Sequence, residues 1–113
     1  MSTRTDRPWG FYEEIYETPQ FKVKVISVEP GKRLSYQRHK HRAELWKIVA
    51  GEAKVTIDHL ERILKNQDVV EIQTFQLHRI ENVGPCDLVF VEVQTGTYFG
   101  EDDIERISDD FGR

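Results

Sequence analysis

The chain has 113 residues, 38% of them hydrophobic and 32% charged, a balance that suits one folded domain with a single core. Its formal net charge of −4 argues against a nucleic-acid binder, which needs a basic surface to neutralise phosphates. No apolar run approaches the roughly 18 residues of a membrane span, the start MSTRTDRPWG lacks the apolar stretch of a secretory signal, and a lone Cys86 excludes an internal disulfide. These features lead to the expectation of a single cytoplasmic domain over residues 1–113.

Strand-like segments dominate. Alternation and β-branched content predict strands at 11–16, 21–29, 33–39, 45–50, 52–57, 62–64, 68–72, 78–82 and 87–95. Turn chemistry separates them at Thr18-Pro19, Pro30-Gly31, Gly51, Asp58-His59, Asn66-Gln67 and Gly84-Pro85. Many short strands at close spacing predict an all-β fold, an antiparallel sandwich or small barrel. The tail alone, over 101–108, has a pattern compatible with a short helix, and Glu101, Asp102 and Asp103 would complement its N-terminal dipole. Lys22 and Lys24 alternate with Phe21, Val23 and Val25, which reads as a wet face carrying the lysines and a dry face carrying the apolar residues.

The segment His39-Lys40-His41-Arg42-Ala43-Glu44 carries the strongest chemical signal, with His78 downstream. If the segment is extended, His39 and His41 project from the same face. Two imidazoles, a carboxylate three residues on and a distant third imidazole form a divalent-metal ligand set, so His39, His41, Glu44 and His78 are the expected ligands. The alternative is a row of exposed histidines without a shared partner. His59 falls in a predicted hairpin turn and reads as a surface residue. Gln37 shares the parity of His39 and His41 and is expected beside the metal.

PGKRLSYQRHKHRAELWKIVAG, from Pro30, and DVVEIQTFQLHRIEN, from Asp68, resemble the two motifs of the cupin superfamily. Six residues separate Glu44 from Gly51, and three separate His78 from Asn82, as in that pattern. The second motif departs from it. Gln67 stands where glycine is frequent and Gln73 where proline is, and residues 74–76 supply no glycine, so an altered loop into His78 is expected. The implied fold is a cupin-type small antiparallel β-barrel, or jelly roll.

RPWG at 7–10, FKVKVISVEPG at 21–31, LSYQRHKHRAELW at 34–46, HRIEN at 78–82 and VEVQTGTYFGEDDIERISDDFGR at 91–113 narrow the resemblance further. Together they are similar to the C-terminal isomerase domain of type II mannose-6-phosphate isomerases, which often follows a mannose-1-phosphate guanylyltransferase domain. Leu45 replaces the histidine usual in that family, on the face opposite Glu44. Tyr36, Phe99 and Phe111 are conservative variants.

The resemblance implies interconversion of mannose 6-phosphate and fructose 6-phosphate with one divalent ion: zinc, manganese, cobalt, nickel or iron. Such a reaction needs a proton shuttle between C1 and C2. Glu92 and Gln94, alternating with Val91 and Val93, are the candidates for that cavity; a structural pairing of Glu92 with a buried cation is the other reading. Arg113 joins them in the expected catalytic group. Lys24, Arg106 and Gln37 are the expected substrate-binding residues, with arginine favoured for phosphate by its fork geometry. The competing functions are a non-catalytic sugar-phosphate-binding cupin and a metal cupin of other chemistry, such as a dioxygenase. A homodimer is expected, with Trp9 and the strand at 11–16 as the exchanged or capping element.

Overall fold

The computed structural model describes residues 3–112. Eleven strands are found among them: β1 (Thr3–Arg7), β2 (Gly10–Glu17), β3 (Phe21–Val28), β4 (Tyr36–Arg38), β5 (Arg42–Ala50), β6 (Glu52–Ile57), β7 (Leu60–Lys65), β8 (Val69–Ile72), β9 (His78–Asn82), β10 (Leu88–Gly96) and β11 (Glu105–Ser108). They form two antiparallel sheets, ordered β1-β2-β3-β10-β5-β8 and β11-β4-β9-β6-β7. The sheets face each other as a jelly-roll barrel. No helix of the described residues is long and apolar enough to cross a membrane.

Alternation accounts for the packing. Val28, Trp46, Ile48, Leu88 and Phe90 point inward from the larger sheet and meet Ala53, Val55, Leu64 and Ile80 from the smaller one. Asn82 ties the layers at this end, donating from Nδ2 to the carbonyls of Val28 and Cys86, both at 2.8 Å. Asp58 and His59, both at positive φ, make the two-residue β6–β7 turn, the backbone that a tight hairpin demands.

Several expectations change. The tail forms no helix: Asp103 spends its carboxylate on the neighbouring chain segment, and 105–108 pair with the open edge of β4 as β11. The strand β1 was not expected either. It pairs with β2, which pairs in turn with β3 of the same chain, and Trp9 is buried in that chain's own core. In this chain the N-terminal segment extends the larger sheet, with β1 at its edge. Lys22 and Lys24 lie inside, 5% and 3% exposed, and Val23 and Val25 beside them face out. The wet and dry faces are the reverse of the expected ones, because the barrel interior is polar at this level.

Candidate active site

One end of the barrel lumen is lined by Lys24, Gln37, His39, Glu44, Glu92 and Arg106, together with Arg7, Tyr12, Arg42, Trp46 and Glu101. Adjacent strands supply the carboxylates. Glu44 on β5 sits opposite Gln94 on β10 in the register, and Glu92 sits opposite Trp46. The Trp46 indole N–H donates to Glu44 Oε1 at 3.0 Å and to Glu92 Oε1 at 2.9 Å, so a single donor holds both carboxylates. Gln94 donates from Nε2 to Glu92 Oε2 at 2.7 Å.

Two imidazoles converge on Glu44. His39 Nε2 is 3.4 Å from Glu44 Oε2, and His78 Nε2 is 3.8 Å from Glu44 Oε1. The three ligand atoms lie within 4.8 Å of one another. Each ring is oriented from behind by a backbone carbonyl: His39 Nδ1 donates to Asp103 O at 2.6 Å, and His78 Nδ1 donates to Gln76 O at 2.9 Å. A carbonyl only accepts, so the proton is on Nδ1 and the ring's remaining nitrogen faces the lumen. The buried His78 Nε2 has no hydrogen-bond partner.

The donor set fits a divalent ion held by His39, Glu44 and His78. The observed separations are close to the roughly 3 to 3.5 Å between neighbouring ligand atoms on one ion, and the orphaned His78 nitrogen is a buried polar atom that such an ion would satisfy. Burial, reinforced by the Arg42 charge, pushes the His39 imidazole down to about 4, the neutral form that a ligand requires.

His41 does not join this group. Residues 39–41 form a bend between β4 and β5 rather than a strand, so the period-2 argument fails there. The His41 side chain is 54% exposed and turns away from the lumen, with Nδ1 at 3.2 Å from Asp103 Oδ1 and its ring edge-on to Tyr98. Asp103 fixes the bend by accepting the N–H groups of Lys40 at 3.0 Å and His41 at 2.9 Å. Gly96 allows the close approach from the other side. It has φ +150, and a Cβ there would stand 2.1 Å from the His41 carbonyl oxygen.

The remaining candidates divide by place. Gln37 and Lys24 line the lumen; Lys24 Nζ pairs with Glu101 Oε2 at 2.9 Å and lies 4.3 Å from the Tyr12 ring centroid. Arg106, on β11, lines the mouth of the cavity and forms no ion pair among the described residues. Gln94 is fully buried behind Glu92 rather than on the cavity wall. Arg113 lies outside the described residues.

Four contributors escaped the sequence reading. Arg42 is buried, donates from Nε to Glu44 Oε2 at 2.8 Å, and places Nη2 at 3.2 Å from His39 Nε2. Trp46, Asp103 and Glu101 act through the bonds already described. Only the parity of 42, 44 and 46 on β5 could have pointed to the first two.

The electrostatics separate the two carboxylates. Burial pushes Glu44 up, but the attraction of Arg42 and His78 outweighs it and holds the group below the usual carboxylate range. Burial, then the charge of Glu44, pushes Glu92 up to about 7 against the pull of Lys24 and Arg42. Two adjacent carboxyl groups with separated proton affinities are a feature of acid–base sites.

Comparison with known proteins decides the kinship. Residues 1–109 match the family described as mannose-6-phosphate isomerase C-terminal. The chain belongs to this family. Relatives include the alginate biosynthesis protein AlgA of Pseudomonas aeruginosa, 47% identical over 95% of this chain and 22% of the relative. The mannose-1-phosphate guanylyltransferase of Escherichia coli K12 is 45% identical over 95% and 22%, and the xanthan biosynthesis protein XanB of Xanthomonas campestris is 45% identical over 95% and 23%. The chain thus spans less than a quarter of the length of these relatives. Among solved structures, the capsular polysaccharide assembling protein CapF of Staphylococcus aureus superposes with TM-score 0.85 at 22% identity, covering 96% of this chain and 34% of that one. KdgF from Halomonas superposes with TM-score 0.77 at 17% identity, covering 88% and 89%. At such identity these likenesses establish the fold alone, a cupin barrel. This mannose-6-phosphate isomerase C-terminal domain carries its inward-facing polar residues at one end of that barrel.

Proposed function

We propose that this domain is a metal-dependent aldose–ketose isomerase interconverting mannose 6-phosphate and fructose 6-phosphate. The observation that carries the reading is the convergence of His39, Glu44 and His78, each ring braced by a carbonyl, beside a carboxyl group pushed up to about 7 at Glu92. The family's printed description and the sugar-phosphate relatives support the substrate class.

A divalent ion held by His39, Glu44 and His78 would supply Lewis acidity, which acidifies the C–H beside the sugar carbonyl. Glu92 is the base. Its carboxylate takes the proton from C2 of the aldose, the hydroxyl proton passes from O2 to O1 of the resulting enediolate, and Glu92 returns its own proton to C1 to give the ketose. Trp46 and Gln94 hold one Glu92 oxygen each, fixing the direction of the carboxylate. Gln37 faces the sugar, and Arg106 receives the phosphate at the mouth, where its guanidinium has no competing carboxylate partner among the described residues. Relatives named for alginate and xanthan biosynthesis suggest that the mannose phosphate serves polysaccharide assembly.

The test is a coupled assay of fructose 6-phosphate formation from mannose 6-phosphate with divalent ion present. Loss of a positioned base costs about 10²- to 10⁴-fold, so Glu92→Gln is expected to lower kcat by at least the smaller factor, with KM little changed. An unaltered kcat in that variant would remove Glu92 as the base. The wild-type rate should fall on acidification through a value at or below 7, because protonated Glu92 cannot accept the C2 proton and a bound cation pulls its proton affinity lower.

A further inference from the structure

The chamber is tight for the substrate proposed above. Its free space is about 90 Å³, well below the roughly 300 Å³ at which small-ligand sites ordinarily begin. A hexose phosphate therefore enters only if a wall gives way. The walls from the larger sheet are fixed. β3, β10 and β5 are hydrogen-bonded along their lengths, and Val28, Ile48 and Phe90 root them in the core.

The remaining wall is the tail, which contributes Glu101, Ile104 and Arg106. Its first part is also fixed: Glu101 pairs with the buried Lys24, and Asp103 is buried against the 39–41 bend. Beyond Asp103 the attachment changes character. All four residues of β11, Ile107 included, are exposed, and Ile104 is only half-buried, so no apolar side chain of 104–108 is anchored in the core. β11 pairs with β4 across a register irregularity, and β4 in turn pairs with β9 at a single position, Gln37 to His78. Surface bonds hold the segment: Glu105 pairs with Arg38, Arg79 Nη2 donates to the Ser108 carbonyl at 3.1 Å, and Asp110 pairs with Arg33. Water replaces such bonds at little cost.

We propose that residues 104–110 form a lid, hinged after Asp103, that swings off β4 to admit the sugar phosphate and closes as Arg106 meets the phosphate. The identity of the ligand rests on the isomerase reading; the motion does not. Because the hinge lies beyond Asp103, the bend and the brace on His39 keep their geometry while the lid is open. The opening is local and leaves the rest of the barrel folded.

The chain's two tryptophans report on access, since Trp9 and Trp46 both line the chamber and are buried. Arg38 and Glu105 are register partners whose ion pair lies outside the chamber. Such partners stand about 4.5 to 5.5 Å apart, a separation that a disulfide spans. Arg38→Cys with Glu105→Cys, in a Cys86→Ser background, ties the lid shut when oxidised and frees it when reduced. Acrylamide quenching of tryptophan fluorescence should fall about fivefold or more on oxidation and return with dithiothreitol. Asp110→Asn, which weakens one of the surface bonds, should raise quenching by about twofold or more. Turnover of mannose 6-phosphate by the ion-loaded double-cysteine chain should fall about tenfold or more on oxidation. Quenching that is the same in the oxidised and reduced forms, and unchanged in Asp110→Asn, would overturn the lid whatever the turnover. Quenching that responds in a chain without turnover would support the lid and overturn the isomerase reading instead.

Discussion

Each of the two imidazoles that face Glu44 is locked by a carbonyl behind it, whereas His41 is locked onto Asp103 on the outer side of the bend. Removing His39 or His78 should therefore abolish metal binding, and His41→Ala should leave it in place. Thermal melts with and without chelator separate these outcomes. An ion present at a hundredfold over its Kd stabilises the fold by about 2.7 kcal/mol, a shift on the order of 10 °C for a domain this size. Wild type and His41→Ala should show that shift; His39→Ala and His78→Ala should not. The members of this group that were legible in the sequence were those whose neighbours behave as strand, since His78 opens β9 and Glu44 lies within β5. The place of His41 outside this group has a local cause: alternation says nothing about a bend held by a carboxylate from 62 residues away. A second residue-scale effect sits at Gln67, a non-glycine residue at φ 82 whose N–H donates to the Ile48 carbonyl at 2.9 Å. Gln67→Gly relieves the left-handed strain, partly offset by the greater freedom of glycine in the unfolded chain, and should raise stability by about 0.5 to 1 kcal/mol in urea unfolding.

At the level of elements, the site depends on two contacts that hold the 39–41 bend from opposite sides. The start of the tail reaches it through Asp103, and the end of β10 touches it at Gly96. Gly96→Ala drives a methyl group against the His41 carbonyl and should cost about 2 kcal/mol or more, with loss of the chelator-sensitive shift because His39 moves with the bend. Farther along, Arg33 clamps the tail through a two-pronged pair with Asp110 at 2.8 and 2.9 Å. Hydrogen bonding to Arg33 holds the Asp110 carboxyl below its ordinary 3.8. A depressed carboxylate stabilises the fold above its unfolded value, so the clamp is at full strength above about pH 5 and fails as the pH falls below 3.8. Hydrogen exchange in β11 should accelerate over that acidic range, and Asp110→Asn should show the faster exchange already at neutral pH. Most of the strands were legible because alternation and turn residues bound them. The strand β11 was not, since Ile104 and Ile107 also fit a helical turn and the open edge of β4 that recruits the segment is a property of the folded sheet. The orientation of Lys22 and Lys24 was missed for a related reason: alternation reveals two faces without saying which one the barrel encloses.

For the whole molecule, the two sheets place a polar chamber inside and an apolar face outside. A chamber where a few polar side chains converge is the usual setting of a binding site. The spacings Glu44 to Gly51 and His78 to Asn82 made the barrel legible, and Asn82 shows why the second one matters, since its side chain ties the two layers. The chamber's inner arrangement was less legible, because Arg42 and Trp46 acquire their roles only when β5 is laid beside β10. The central claim is that this chamber, loaded with a divalent ion, moves a proton between C1 and C2 of a mannose phosphate. Proton NMR of mannose 6-phosphate in D2O with the ion-loaded chain tests it most directly. Growth of fructose 6-phosphate signals, abolished by chelator, is the predicted result. An unchanged spectrum from a chain shown to hold its ion would contradict the claim.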